Sequence, residues 1–307
     1  MDIFLQQIIN GLTLGSVYAI VALGYTMVYG IIQLINFAHG ELVMLGAMVA
    51  FSVIGALAGT ALPPVLIVIA GVVAAVPACM LVGYAMERIA YRPLRNAPRL
   101  APLITAIGIS IILQHLALLI WGRSPLAFPQ IIPLVSFTIG GAIITGVQIA
   151  IILISLLMMG GLTLIVYRTK LGIAMRATSQ NPQVAGLMGI DINRIIAFTF
   201  IVGAALAAVA GVMVGTYYGI AHYTMGSLLG MKAFSAAVLG GIGNIAGAML
   251  GGILLGIVEA LGAGYIGQLT HNVFGSNYQD VFAFLVLIGV LVFRPSGLLG
   301  ERVGDRA

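Results

Sequence analysis

Charge is scarce in this sequence. Only 7% of its 307 residues are Asp, Glu, Lys or Arg, and 61% are hydrophobic. A soluble domain typically carries ~25% charged residues, and even a large buried α-domain needs a polar exterior. This composition therefore points to a polytopic membrane protein. Cysteine is nearly absent: Cys79 stands alone in an apolar run, which excludes a disulfide framework and a thiolate metal cluster. The phosphate-cradling Gly-x-x-x-x-Gly-Lys-Ser/Thr loop is missing too, since neither Lys170 nor Lys232 follows such glycines. No Ser/His/Asp set or carboxylate pair stands out, and His39 has no second His or Cys at ligand spacing. No enzymatic activity, cofactor or metal is expected. The opening MDIFLQQ lacks the basic segment of a cleaved signal, so the first hydrophobic stretch is expected to stay.

What the chain has in abundance is uncharged oil. A helix needs ~20 apolar residues to cross ~30 Å of hydrocarbon. Residues 11–35, 42–62, 64–86, 101–122, 124–167 and 195–221 contain no charge. The run 124–167 is too long for one span; Pro129 and Pro133 suggest a loop before a helix at about 141–167. Beyond 195, four spans fit: about 195–217, a short 229–242 after which glycines break the chain, 244–264, and 278–293. Residues 5–35 form either one long tilted helix or two pieces hinged at Gly24 or Gly30. Backbone in lipid must satisfy its own hydrogen bonds, and barrel-type alternation is absent, so these are helices. The expectation is a single all-α transmembrane domain over residues 1–307 with eight to ten transmembrane helices. Glycine pairs at four-residue spacing, such as Gly211 and Gly215 or Gly252 and Gly256, suit close helix packing within one subunit.

The net charge of +5 comes from 13 Lys and Arg against 8 Asp and Glu. All the bases but Arg123 and Lys232 fall in three segments. These are Arg88, Arg92, Arg95 and Arg99; then Arg168, Lys170, Arg176 and Arg194; then Arg294, Arg302 and Arg306. Clustered between oily runs, they read as cytoplasmic orientation signals and not as a nucleic-acid surface. Arg123 then faces outside.

The second basic segment, about 168–194, is the longest polar insert. Asn181 suits an N-cap, Pro182 the first helical position and Gly189 a left-handed position just past the helix end. Val184, Leu187 and Met188 fall on one face. A two-turn helix is too short to stand alone in water, so it needs its own bundle, the membrane surface or a partner protein to lie against. Arg176 sits on an expected continuation of the preceding helix.

Five motifs carry a resemblance: "INFAHGE" (35–41), "YRPLR" (91–95), "GIAMRATSQNPQVAGLMGI" (172–190), "AAVLGGIGNIAGAMLGG" (236–252) and "RPSGLLG" (294–300). In order and spacing the chain resembles the branched-chain amino-acid ABC importer permeases, closest to the LivH type, nearly end to end. The resemblance implies a type II ABC importer permease fold in the bacterial inner membrane. It also implies a second permease of the LivM type, two cytoplasmic ATPases, and a periplasmic binding protein that delivers leucine, isoleucine or valine. It makes 172–190 the coupling region: Arg176, Asn181, Pro182 and Gly189 shape the ATPase contact, with Val184, Leu187 and Met188 as its apolar face.

Polar residues inside the oil are the pathway or gate candidates: Asn36, His39, Glu41, Lys232, Asn244 and Glu259. Charge in lipid is costly, so Glu41 is expected to face protein or water. Lys232 either pairs with Glu41 or Glu259 across the bundle or snorkels. Asn244-Ile245-Ala246-Gly247 matches Asn36-Phe37-Ala38-His39 in pattern, a trace of internal duplication. The rival readings are a urea or short-amide ABC permease and an ion-coupled carrier that would depend on Glu41 and Glu259.

Overall fold

The computed structural model describes residues 2–95, 97–98, 100–133, 135–269 and 278–300; Arg99, Arg302 and Arg306 lie outside them. Among the described residues, eleven α-helices run in chain order: α1 (Asp2–Ile32), α2 (His39–Leu57), α3 (Pro64–Ala85), α4 (Leu100–Trp121), α5 (Gly146–Arg168), α6 (Lys170–Gln180), α7 (Pro182–Leu187), α8 (Ile192–Tyr218), α9 (Met225–Gly240), α10 (Ile245–Leu269) and α11 (Gln279–Phe293). Seven of the described helices are long and apolar enough to cross a membrane, and α9 and α11 are shorter apolar helices. Residues 2–32 are one unbroken helix, with no hinge at Gly24 or Gly30.

Among the described residues, two small antiparallel pairs lie in the loops. β1 (Leu126–Ala127) pairs with β4 (Ile220–Ala221), and β2 (Ser136–Ile139) with β3 (Ala142–Thr145). The second pair turns through Gly140 and Gly141, both at positive φ (57° and 86°), which a tight hairpin demands. These residues displace the expected start of α5 from about 141 to Gly146, where Thr145 and Gln148 form a reciprocal capping box.

The helices α1, α2, α8, α9 and α10 form the buried centre, and α3, α4, α5 and α11 carry most of the exposed Leu, Ile and Val. Contact at the centre is backbone to backbone. A Cβ built on Gly15 would lie 2.7 Å from Ile253 Cα, and one on Gly46 would lie 2.6 Å from Ala208 Cα. Gly211 packs on Val43, Gly252 on Ala19, and Gly256 on Gly15. The glycine pairs thus serve packing within this chain.

Two interruptions define the architecture. After α1 the chain turns back at Gln33, whose φ is 52°, and α2 begins inside the bundle. The His39 ring lies against Gly24, eight residues before the end of α1, a depth of roughly 12 Å at 1.5 Å per residue. After α8 the chain folds back likewise, and α9 begins beside α2: a Cβ on Gly40 would lie 2.8 Å from Gly230 Cα. From this meeting point α2 and α9 leave in opposite directions. α2 runs to its hairpin with α3, and α9 runs to the end where Gly30 and Gly243 lie together. Long helix, fold-back and mid-bundle helix therefore recur with inverted sense, as α1–α2 and α8–α9, a common transporter device. The repeat does not follow the Asn36 and Asn244 motifs: Asn36 precedes α2, Asn244 precedes α10, and these helices do not correspond.

Candidate functional site

The fold-back between α1 and α2 is held by Asn36. Its Oδ1 accepts from Ala38 N at 3.1 Å and from Tyr91 Oη at 2.9 Å. Tyr91 ends a π-helical extension of α3, Met86–Tyr91. His39 is fully buried against Gly24 and makes an edge contact with Tyr25, ring centroids 4.8 Å apart. Among the described residues no set of three His, Cys, Asp or Glu could hold a metal.

Glu41 lies in the first turn of α2 and is fully buried. Its Oε1 accepts from Gln114 Nε2 at 2.8 Å and Ser110 Oγ at 3.0 Å, both on α4. Its Oε2 has no hydrogen-bond partner among the described residues. Beside it a cavity of about 170 Å³ is lined by Tyr25, Phe37, Ile107, Ser110, Ser227 and Met231. Ser227 belongs to the first turn of α9, so the starts of two helices meet at this cavity.

Lys232 does not pair with Glu41 and does not snorkel. It is buried, and its Nζ lies 2.7 Å from both Glu259 Oε1 and Asp280 Oδ1 and 3.5 Å from Tyr18 Oη. The network ties α9 to α10, α11 and α1. Asp280 lies in the first turn of α11, within the expected span 278–293, and sets its carboxylate against this buried ammonium. Residues 270–277 lie outside the described residues. Asn244 is a turn residue: Oδ1 accepts from Gly247 N at 3.0 Å and Nδ2 donates to Leu299 O at 2.8 Å. It sits far along α9 from the cavity and is not part of its lining.

At the basic end, α6 is not a continuation of α5. Thr169 is extended (φ −105°, ψ 159°), and its side chain caps a new helix by accepting from Gly172 N. Arg176 then stacks on Tyr167, 5.3 Å from the ring centroid. Asn181 Oδ1 accepts from Val184 N at 3.1 Å, and α7 ends through Gly189 at φ 85°. The paired bonds Ile190 N to Ala185 O and Gly189 N to Gly186 O close that end. Val184, Leu187 and Met188 are 51%, 87% and 80% exposed, so the apolar face of α7 is bare. Next to it, buried Glu87 pairs with Arg92 at 2.7 Å and with Arg95, and Arg95 Nη1 reaches Asn193 Oδ1 at 2.7 Å. Burial lowers the Arg95 guanidinium from its ordinary value, and the Glu87 carboxylate opposes that shift. The pairings of Glu87, Tyr91, Ser110, Gln114 and Asp280 escape sequence reasoning because each joins residues that only the packed bundle brings together.

Residues 7–291 match the family model described as branched-chain amino acid transport system / permease component. The high-affinity branched-chain amino acid transport system permease protein BraD of Pseudomonas aeruginosa is 50% identical over 304 residues, 97% of this chain and 96% of the relative. LivH of Escherichia coli, a permease protein of the same description, is 46% identical with the same coverage. A probable branched-chain amino acid transport permease of Methanocaldococcus jannaschii is 30% identical, covering 97% of this chain and 94% of that one. No solved structure matches the chain. With helices built to cross a membrane and a family match along most of its length, this chain is a multi-pass membrane protein and belongs to the permease family of branched-chain amino acid transport systems.

Proposed function

We propose that the chain is a membrane-spanning, non-catalytic subunit of an ATP-driven importer of leucine, isoleucine or valine in the bacterial inner membrane. It would pair with a second, LivM-type permease, stand above two cytoplasmic ATPases, and receive solute from a periplasmic binding protein. The end-to-end likeness to permeases with that printed description supports the solute class. The observation that carries the mechanism is the bare, doubly capped α7. Three apolar side chains stand in a row on a helix too short to persist alone, beside the cation–π pair of Arg176 and Tyr167. An ATPase groove would cover them. Closure of the ATPase pair would push α6 and α7, and through Arg95–Asn193 and Tyr91–Asn36 the push would reach the fold-back that begins α2.

The test is reconstitution with co-purified partners, supplying ATP and measuring accumulation of labelled leucine and, separately, urea. Leucine accumulation that needs ATP and survives an uncoupler is the expected result. Accumulation that collapses with the uncoupler and ignores ATP would establish the ion-coupled carrier. Arg176→Glu is expected to retain the protein in the membrane but to uncouple ATP hydrolysis from uptake, since a reversed charge at a contact costs a few kcal/mol. Wild-type uptake in that variant counts against the docking assignment.

A further inference from the structure

The motifs "AAVLGGIGNIAGAMLGG" (236–252) and "RPSGLLG" (294–300) lie far apart in the chain and meet in the structure. The last carbonyls of a helix lack partners within it. On α9 two of them, Leu239 O and Gly240 O, accept from Leu298 N and Leu299 N, each at 2.9 Å. Residues 294–300 are thus a strap that caps α9 from beyond the end of α11. Gly297 N donates to Arg294 O at 2.9 Å and Arg294 Nη1 to Leu298 O at 3.1 Å, which fixes the turn of the strap. Backbone meets backbone here. A Cβ on Gly297, whose φ is 77°, would lie 2.6 Å from Gly241 N, and one on Gly241 would lie 2.6 Å from Gly300 Cα. Only glycine allows that approach. Asn244 closes the strap: Nδ2 donates to Leu299 O at 2.8 Å, while Oδ1 accepts from Gly247 N at 3.0 Å and caps the start of α10. One partner is an acceptor and the other a donor, so both ends of the amide are in use. At its opposite end α9 meets α2 through glycine, with a Cβ on Gly230 placed 2.9 Å from Gly40 Cα. No side chain interlocks at that pair, so sliding meets little resistance. From Gly226 to Gly240 the helix is a rod of about 21 Å at 1.5 Å per residue. Lys232 fastens its middle to α10 and α11, and the strap fastens its base.

We propose that Asn244 is a positioning residue for transport. By holding Leu299 it keeps the strap on α9, and the strap sets the height and tilt at which α9 meets α2. That glycine contact joins the two mid-bundle helices, and it has to shift when motion driven by ATP reaches the centre of the bundle. Asn244 itself touches no solute. Without its bond to Leu299 the base of α9 slips, and hydrolysis no longer moves α9 against α2. This inference rests on the transport reading above.

The experiment uses the intact transporter, reconstituted with its partners, and compares the wild type with Asn244→Asp. A carboxylate still accepts from Gly247 N and suits a helix start, but it cannot donate to Leu299 O. Release of the strap is read by thiol labelling in a Leu298→Cys background, because Leu298 packs half-buried on the core and native Cys79 is fully buried. Coupling is read as leucine accumulated per ATP hydrolysed. Asn244→Asp is expected to speed the labelling and to lower leucine per ATP by about fivefold or more, the lower end of typical coupling between sites. The maximal uptake rate should fall, with half-saturation by leucine-loaded binding protein and the unfolding temperature near wild type. Wild-type labelling, or fast labelling with a wild-type leucine-to-ATP ratio, overturns the role. A lowered unfolding temperature with an unchanged ratio also overturns it, since Asn244 then serves stability alone. Should Asn244→Asp fail to assemble, Gly297→Ala replaces it: the added methyl pushes the strap off Gly241 and leaves the Gly247 cap in place. The same loss of ratio supports the role, and an unchanged ratio overturns it. The wild type separates the two failures. ATP-driven leucine accumulation in the wild type with a normal ratio in the variants sinks the role of Asn244 alone; no accumulation in the wild type sinks the transport reading and this role with it.

Discussion

Tyr91 Oη donates to Asn36 Oδ1 at 2.9 Å across a gap of 55 residues. The bond joins the π-helical end of α3 to the segment that returns the chain into the bundle. Tyr91→Phe removes one donor and leaves Ala38 N on Asn36, a loss of ~1 kcal/mol. Asn36→Ala strips the acceptor from both groups and is expected to cost roughly twice that or more. Thermal unfolding of the purified variants checks the order; an Asn36→Ala protein as stable as wild type would remove this bond from the account of the fold-back.

Lys232 neutralises two carboxylates in the interior. Lys232→Met leaves Glu259 and Asp280 facing each other without a cation, and breaking one side of a buried pair costs ~3–5 kcal/mol. The triple variant Lys232→Met, Glu259→Gln, Asp280→Asn removes the charges together and is expected to regain much of that loss. Membrane yield and unfolding temperature measure both. If the single and triple variants were equally impaired, unpaired charge would not be the cause.

The face of α7 is expected to be energetically silent in the isolated chain. Leu187 is 87% exposed, and exposed positions usually change stability by less than ~0.5 kcal/mol. Leu187→Asp should therefore unfold at the wild-type temperature while losing co-purified ATPase. A variant that unfolds early would mean that α7 packs on its own bundle.

Glycine substitution separates the crowded centre from the open rim. At Gly15 an added methyl meets Ile253 Cα at 2.7 Å, whereas nothing lies within 4 Å of one at Gly160. Gly15→Ala is expected to destabilise by ~1–3 kcal/mol through overpacking, and Gly160→Ala to stabilise by up to ~1 kcal/mol through helix propensity. Unfolding midpoints of the two variants should move in opposite directions.

Local chemistry made the helices readable. Runs of uncharged residues mark spans because lipid rejects unpaired polar groups. Asn181-Pro182 and Gly189 mark the limits of α7 because caps act within a few residues. The break at Thr169 was not readable: a hydrophobic run gives way there to a polar one without Gly or Pro. The strands at 136–145 lay within an uncharged run read as part of a loop and span, and only the Gly140-Gly141 pair at their turn signalled a hairpin locally.

Composition and basic-residue placement alone established a helical membrane protein, local capping residues established a short helix within its polar insert, and motif order carried the resemblance to permeases; the first two depend on solvent preference and short-range contacts. Tertiary structure decided where α2 and α9 begin, that Lys232 belongs to Glu259 and Asp280, that Glu41 belongs to Ser110 and Gln114, and that a cavity lies between. Those facts depend on which glycines let helix backbones touch. Contact between residues tens to hundreds of positions apart is a property of the packed bundle, and no window along the chain contains it.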